Sequence, residues 1–255
     1  VRAFLNTICT DTDGVDKSIR EAIKYNLGGQ YNIHSKIVNF KEYGSHSSRT
    51  RTLVIGIRKD IQDVSPFDIF PKKQKAKTLR QLIGDLPALE EMGEISDDIF
   101  HAFREYDQRM LPWIENLEEG QSAFEQTDEL RIPHRIIDGK LIPNKSKNGD
   151  KYARWYWDKE GPCVHTRNDI LSSQNTVHPK DNRVFSIREL MRMMAIPESF
   201  EWSNIKTKDL NERTVLEKKL FLKKEELNIR HCLGEAVPTG VFKSIASNIK
   251  DFYKK

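Results

Sequence analysis

The sequence is short of cysteine. Its 255 residues hold three, Cys9, Cys163 and Cys232, too few and too scattered for a disulfide framework or a zinc site. That scarcity excludes the small disulfide-stapled secreted class and points to a reducing, intracellular setting. No long apolar run is present, so neither a membrane span nor an export segment is expected, and no metal ligand set stands out. Charge of one sign is nearly missing as well: 42 Lys+Arg against 38 Asp+Glu leave a net charge of +4. Any preference for a polyanion has to come from local clusters. Lys72-Lys73-Gln74-Lys75-Ala76-Lys77, Lys218-Lys219, Lys223-Lys224 and Lys254-Lys255 are basic, while residues 85–119 are acid-rich. This asymmetry fits one phosphate-facing surface, although lysine runs on helices are commonly just solvated faces. The length allows one large domain or two modest ones, and 37% apolar with 31% charged residues is ordinary for a globular chain.

The most informative stretch is Tyr43-Gly44-Ser45-His46-Ser47-Ser48-Arg49-Thr50-Arg51-Thr52-Leu53-Val54-Ile55-Gly56. Side chains at i and i+2 of a strand share a face, so Arg49 and Arg51 are expected to project together, where guanidinium forks suit phosphates and base oxygens. Two further segments follow in order. His178-Pro179-Lys180-Asp181-Asn182-Arg183 runs into Ser186-Ile187-Arg188-Glu189-Leu190-Met191-Arg192-Met193-Met194-Ala195-Ile196-Pro197, and later comes Gly234-Glu235-Ala236-Val237-Pro238.

Together these resemble the eighth, ninth and tenth sequence blocks of the DNA cytosine-5 methyltransferases, with the family's long variable gap between the eighth and ninth. The resemblance covers roughly residues 1–60 and 160–255, and the middle matches that family's target-recognition region by position. It implies an α/β fold: the C-terminal part of a Rossmann-like, S-adenosylmethionine-dependent methyltransferase sheet with a smaller inserted target-recognition domain. The expected division is 1–60 for late strands and helix of the methyltransferase domain, 61–175 for target recognition, and 176–255 for the ninth-block helix and a C-terminal helix returning to the first domain.

Val1-Arg2-Ala3-Phe4-Leu5 resembles the phrase that follows the family's Glu-Asn-Val triplet, so the chain is expected to open at the triplet's third residue. The sequence holds no Phe-x-Gly-x-Gly cofactor loop and no Glu-Asn-Val. The expectation is therefore a C-terminal half, working with an N-terminal half that carries the nucleophile, from the same longer chain or a separate subunit. Gly161-Pro162-Cys163-Val164 contains a Pro-Cys pair like the family's nucleophile signature, but no glutamine follows and the pair lies downstream of the Arg-x-Arg strand. A packed cysteine is the expected role there, with a circularly permuted nucleophile as the alternative.

The spacing of Val15, Ile19, Ala22 and Ile23 predicts a helix stopped near Gly28-Gly29, and residues 33–40 and 52–58 read as strands, the second like one buried on both faces. They are late strands of a βαβ-type sheet or its closing antiparallel hairpin. Helix-like pieces fall at residues 78–83 and 97–111, before a polar stretch at 144–150. Tyr152-Ala153-Arg154-Trp155-Tyr156-Trp157 reads as a half-buried strand of the small domain's core, or less simply as a base-stacking surface. Ser186 and Glu189 form a capping box for a helix with Leu190, Met193 and Met194 on one stripe. Pro238 starts a last helix with Val241, Ile245 and Ile249 on one face and Phe242, Ala246 and Phe252 beside it.

By resemblance, Gly234, Glu235 and Ala236 close one side of the S-adenosyl-L-methionine pocket, with Glu235 in place of the usual asparagine. Arg51 is assigned to the flipped cytosine's O2 and a nearby phosphate, and Arg49 to holding the flipped nucleotide and the nucleophile loop. Ser47 and Ser48 stand where the family has Gln-Asn, leaving Ser47 as a hydrogen-bonding group toward DNA. His165, Thr166 and Arg167 occupy the opening of the second recognition loop on double-stranded DNA. Arg183 ties the ninth block to the recognition domain, and Arg188, Glu189 and Arg192 are expected in structural ion pairs. The function the resemblance implies is that of a bacterial, cytoplasmic restriction-modification methyltransferase. A non-catalytic, sequence-specific DNA-binding module is the alternative.

Overall fold

The computed structural model describes residues 4–145 and 149–254. Residues 1–3, 146–148 and 255 lie outside the described residues. With them go most of the Val1–Leu5 phrase, the middle of the polar stretch and the second lysine of the terminal pair. The described chain forms two compact units, one running through Ala76 and resuming at Pro238, the other spanning Lys77–Val237. The sequence reading puts breaks near residues 60 and 175 instead. Residues beyond 60 stay with the first unit because they run into a one-turn helix, Pro66–Ile69, whose exit is held by the terminal helix Thr239–Phe252. There Asn248 Nδ2 donates to Phe70 O at 2.8 Å, and Ser244 Oγ accepts from Lys72 N at 3.0 Å.

In the first unit, a short ribbon of β1 (Ile8–Thr10) and β2 (Asp16–Ser18) leads into helix α1 (Ile19–Leu27). Ser18 and Glu21 cap that helix reciprocally, and it ends at Gly28, as the spacing predicts. Val15 is the exception: it lies in the ribbon's turn, 53% exposed, because the cap fixes the helix start four residues later. Strands β3 (Tyr31–Asn39) and β4 (Thr50–Arg58) then pair antiparallel, Val38 opposite Arg51 and Lys36 opposite Leu53. This is the antiparallel-hairpin alternative. Only one face of the pair is buried, so β4 is not buried on both faces: Leu53 and Val38 pack with Phe40, Tyr43 and Val241, whereas Val54 on the other face is 38% exposed. Of the terminal helix's expected apolar face, Val241 and Ile245 reach this core. Ile249 and Phe242 stay exposed.

The second unit packs three helices into its main core: α2 (Leu79–Ile83), α3 (Ile187–Met193) and α4 (Val215–Glu235). Ser186 caps α3 with Glu189, as the sequence predicts, and Thr78 caps α2 with Gln81 over the helix-like piece expected at 78–83. Leu190, Met191, Met193 and Met194 are buried against Leu79, Leu82, Ile229 and Leu233. A second cluster gathers Trp113, Ile114, Tyr152, Leu171 and Val177, with a hairpin of β5 (His134–Ile137) and β6 (Lys140–Pro143) nearby.

Two expectations fail here. Residues 97–111 are not a helix. Ile99, Phe100 and Phe103 are buried, but on turns set by the Asp98 side chain and an Ile95–Ala102 bridge, and regular helix begins only with the one-turn Leu111–Ile114. The aromatic segment 152–157 is not a regular strand either: Tyr152, Ala153 and Arg154 are all buried, Tyr152 has φ +50°, and pairing is by single bridges to Ser122 and Val177. Its rings fill cores, with Tyr152 edge-on to Trp113.

Candidate functional site

The Arg-x-Arg segment is built on the first unit's hairpin. Asn39, the last residue of β3, accepts through Oδ1 from Arg49 N at 3.0 Å and from Lys41 N at 3.2 Å, and donates through Nδ2 to Ser48 Oγ at 2.9 Å. One side chain thus closes the ten-residue excursion. The connection carries a glycine–glycine contact: Gly44 sits at φ +97°, and a β-carbon at Gly240 would overlap the Gly44 carbonyl. Ser45 and Ser47 are wholly buried, with Ser47 N donating to Ser45 Oγ at 3.2 Å. Ser47 is therefore part of the connection's interior, not a surface donor.

Arg49 and Arg51 do not project as an equal pair. Arg49 lies one residue before β4, its carbonyl accepting from Phe40 N at 2.9 Å, and is only 7% exposed. Arg51 is half-buried in the strand, with Nη1 donating to Thr50 O at 2.8 Å. Their chemistry divides accordingly. A buried guanidinium can fix backbone and tune a neighbour's charge, while a half-buried one retains donors for an incoming oxygen.

In the second unit, two predicted sites come together. A β-carbon at Gly234, in the last turn of α4, would overlap the backbone of His165 and Thr166, so only glycine lets that helix lie against the loop. Gly234 and Glu235 are thus helical, and the chain leaves the helix at Ala236. The next link is Asn168, missed in the sequence reading: it is buried, and its Nδ2 donates to His165 O at 2.6 Å and to Arg230 O at 2.8 Å. Arg230, also missed, is buried on α4, donates to Phe185 O at 2.9 Å and pairs with Glu226 at 2.8 Å. An Asn inside a turn ahead of an acidic residue was the available sequence signal. On this frame His165 and Thr166 are half-buried and Arg167 is exposed, its Nε 3.0 Å from Asp169 Oδ1. Glu235 is exposed beside His231 at 3.6 Å, and Ala236 is half-buried against the main core. Cys163 is half-buried.

The ninth-block segment is an ionic framework. Arg183 meets Glu189 in a fork of two 2.8 Å bonds, both side chains nearly inaccessible, and the half-buried Asp181 at 3.0 Å. Burial alone would raise the Glu189 pKa, but the Arg183 and His178 charges outweigh it and hold the carboxyl well below its ordinary value. His178, 3.5 Å from Glu189, is pushed down to about 4, chiefly by burial and partly by the Arg183 charge. Arg188 pairs with Asp98, and Arg192 with Asp85 and Glu198. Arg188, Glu189 and Arg192 thus stand in structural ion pairs, as the sequence reading expects, whereas Arg183 does not tie the segment to the recognition region: its side-chain partners, Asp181, Val184 O and Glu189, lie within the ninth block itself.

A model of the C-5 cytosine-specific DNA methylase family matches residues 17–251. This chain belongs to that family. The match runs through the middle of the chain as well as the two ends carrying the motifs. Among relatives, the type II methyltransferase M.MthTI of Methanothermobacter thermautotrophicus is 43% identical over 231 residues, covering 86% of this chain and 56% of that protein. Type II methyltransferase M1.HgaI of Avibacterium volantium is 27% identical over 240 residues, covering 91% of the chain and 59% of its own length. The chain therefore spans little more than half the length of these relatives. Among solved structures, a protein described as a DNA modification methyltransferase encoded within a prophage (E. coli) aligns at TM-score 0.56 with 15% identity, over 93% of this chain and 65% of its own. The Dnmt2 methyltransferase of S. pombe aligns at 0.51 with 13% identity, over 93% and 62%. Both support the α/β methyltransferase fold. Among the described residues, no helix is long and apolar enough to cross a membrane, and no cluster of three or more His, Cys, Asp or Glu is disposed to hold a metal.

Proposed function

We propose that this chain is the DNA-reading, cofactor-closing C-terminal part of a DNA cytosine-5 methyltransferase of a bacterial restriction-modification system, acting in the cytoplasm on double-stranded DNA. The observation that carries the reading is the family match along residues 17–251. The glycine-rich cofactor loop, the Pro-Cys nucleophile and the Glu-Asn-Val glutamate would come from an N-terminal part, in the same longer chain or a separate subunit.

Within the reaction, this chain's residues bind and orient. Arg51, with donors still available, would hold the O2 of a cytosine turned out of the duplex and a flanking phosphate oxygen, fixing the ring for attack at C6. Arg49, locked by Asn39, would hold the connection beside the nucleophile, where a buried positive charge favours thiolate. His165, Thr166 and Arg167 would contact DNA from a loop that Asn168 and Gly234 keep in one shape. For the cofactor, S-adenosylmethionine, the donor set partly fits: the exposed Glu235 carboxylate can accept from its amino or hydroxyl hydrogens, and Ala236 lies beside it. Gly234 is occupied by the His165–Thr166 backbone, so its role is to pack the loop. When bound, that cofactor supplies the electrophilic methyl group.

The test is reconstitution. This chain is mixed with a polypeptide carrying the missing motifs, labelled S-adenosylmethionine and duplex DNA, and methyl transfer to cytosine C5 is measured with each part alone as control. Transfer only by the mixture is expected. Transfer by this chain alone overturns the missing-nucleophile reading, and no transfer with retained DNA binding favours a non-catalytic DNA-binding module.

A further inference from the structure

Helix α4 carries apolar residues on two opposite sides. Leu222, Ile229 and Leu233 turn inward to the main core. On a helix that turns about 100° per residue, Leu216, Leu220 and Leu227 fall within about 40° of one another, roughly 140° round from that inner side. They are 69%, 59% and 54% exposed. Solvent-facing helix positions ordinarily carry polar groups, so three leucines in line over about 16 Å form a ridge that nothing among the described residues covers.

Beside that ridge runs a groove of about 480 Å³, lined along α4 by Lys219, Leu222 and Lys223 and across from it by Ile95, Ala102 and Glu105. Lys219 and Lys223, one turn apart, stand between groove and ridge, both exposed and in no ion pair among the described residues. Neighbouring cations are matched: Arg104 and Arg230 pair with Glu226, and Lys224 with Glu225. The outer face of α4 thus offers apolar area bordered by two unmatched positive charges.

We propose that this face docks an acidic amphipathic helix of another protein, with its apolar residues on Leu216, Leu220 and Leu227 and its carboxylates opposite Lys219 and Lys223. A straight ridge three turns long is the shape that a second helix packs against, and the flanking charges select the sign of its partner. A second copy of α4 fits poorly. Antiparallel registers that pair Leu227 with Leu220 or Leu216 set Lys223 or Lys219 opposite Lys224, and parallel pairing sets each lysine opposite its own copy. The register with Leu216 on Leu220 overlaps the helices over only about two turns. Duplex DNA fits less well too: the leucines bring nothing to phosphates, and the exposed Glu217 and Glu235 lie along the ridge's far edge, against which a continuous polyanion would be set.

The experiment titrates the full chain into fluorescent peptides of three heptads, leucine at a and d, with glutamate at e and g in one and lysine in the other, and reads anisotropy. The glutamate peptide is expected to bind about tenfold or more tightly than the lysine peptide. Leu220→Gln/Leu227→Gln should lose about tenfold or more of that affinity, and Lys219→Glu/Lys223→Glu should reverse the preference, both with circular dichroism and urea midpoint unchanged. Equal affinity for the two peptides, binding of neither, or unchanged affinity in the leucine variant overturns the assignment. Three other results overturn it by naming a different occupant. Self-association that the leucine variant abolishes assigns the ridge to a second copy. Loss of methyl transfer in the reconstituted enzyme carrying that variant assigns it to the N-terminal part. Charge reversal that weakens duplex binding and leaves the peptide preference as it was assigns the lysines to DNA. Peptide binding is read without methyl transfer, so its failure leaves the methyltransferase reading standing.

Discussion

The chain contains two substantial antiparallel hairpins, and they are built for opposite ends. The β3–β4 hairpin has nine-residue strands, lays one face on Phe40, Tyr43 and Val241, and closes through a connection held by Asn39 and a glycine–glycine contact. The β5–β6 hairpin has four-residue strands, a two-residue turn, and one face with all four side chains in solvent. In the first, packing fixes where an arginine stands. In the second, little but the backbone ladder and the edge-on contact of His134 with Trp113 holds the ribbon, and even on the His134 face Ile136 is 64% exposed. Packing therefore makes the first a positioning frame, while the second, four residues to a strand, gains little stability from packing of its own.

The sharpest break of that contrast is Gly240→Ala. Its new methyl group would overlap the Gly44 carbonyl, backbone against backbone, where no flexible side chain can yield. The first unit should lose roughly 3 kcal/mol or more, read by hydrogen exchange in β3 and β4. Protection equal to the unaltered chain would mean that the glycine contact does not fix the connection.

Acid separates the two regions differently. His178 is held neutral by burial, with a folded pKa of about 4 against an ordinary 6.5, so the unfolded chain binds the extra proton between those values. The contribution is therefore complete above about pH 6.5 and lost as pH falls toward 4, up to about 3 kcal/mol in all. Glu189, whose carboxyl is lowered by Arg183 and His178 against its own burial, acts in the same sense at lower pH. Both groups belong to the unit carrying β5–β6, as do all four tryptophans, Trp113, Trp155, Trp157 and Trp202. Urea midpoints followed by tryptophan fluorescence should thus fall between pH 7 and 5, and His178→Asn should flatten that fall.

Much of this architecture was legible because it is local. The cap at Ser186 with Glu189 three residues on is short-range chemistry, and that helix starts where the cap says; the helix-like piece at 78–83 is likewise found, with a Thr78–Gln81 cap of the same kind at its start. Residues 97–111 misled because burial of Ile99, Phe100 and Phe103 produces helix-like spacing on turns that are held from afar, as by His101 Nδ1 to Ser186 Oγ at 3.0 Å. The 21-residue helix Val215–Glu235 escaped notice for the converse reason. Its apolar residues surround it, with Leu216, Leu220 and Leu227 exposed while Leu222, Ile229 and Leu233 are buried, so no single stripe announces it. Of the site, the Arg-x-Arg pair was visible as a pattern, but its division into a buried Arg49 and a half-buried Arg51 depends on Asn39, ten residues upstream.

That division predicts a functional difference between neighbours. Arg51→Ala, in the reconstituted enzyme, should cost about 2 to 3 kcal/mol of transition-state stabilisation, measured as kcat/KM, with the fold unchanged. Turnover equal to the unaltered enzyme would remove Arg51 from the site. Cys163→Ser should leave turnover within about twofold, since a half-buried thiol that is only packed loses little by that exchange. Abolished turnover would restore the nucleophile reading.

The smallest effect tests the second hairpin's character most directly. Ile137 is 45% exposed on a two-stranded ribbon, so Ile137→Ala should shift stability by less than about 0.5 kcal/mol. Leu53→Ala, at 8% exposure in β4, should cost about 2 to 4 kcal/mol by the same transfer and cavity terms. The pair of urea titrations, each followed by hydrogen exchange in its own hairpin, therefore predicts a ratio of at least fourfold. A large loss at Ile137 would mean that the exposed face is covered within the folded chain, and the ribbon would then be a structural strand pair like the first.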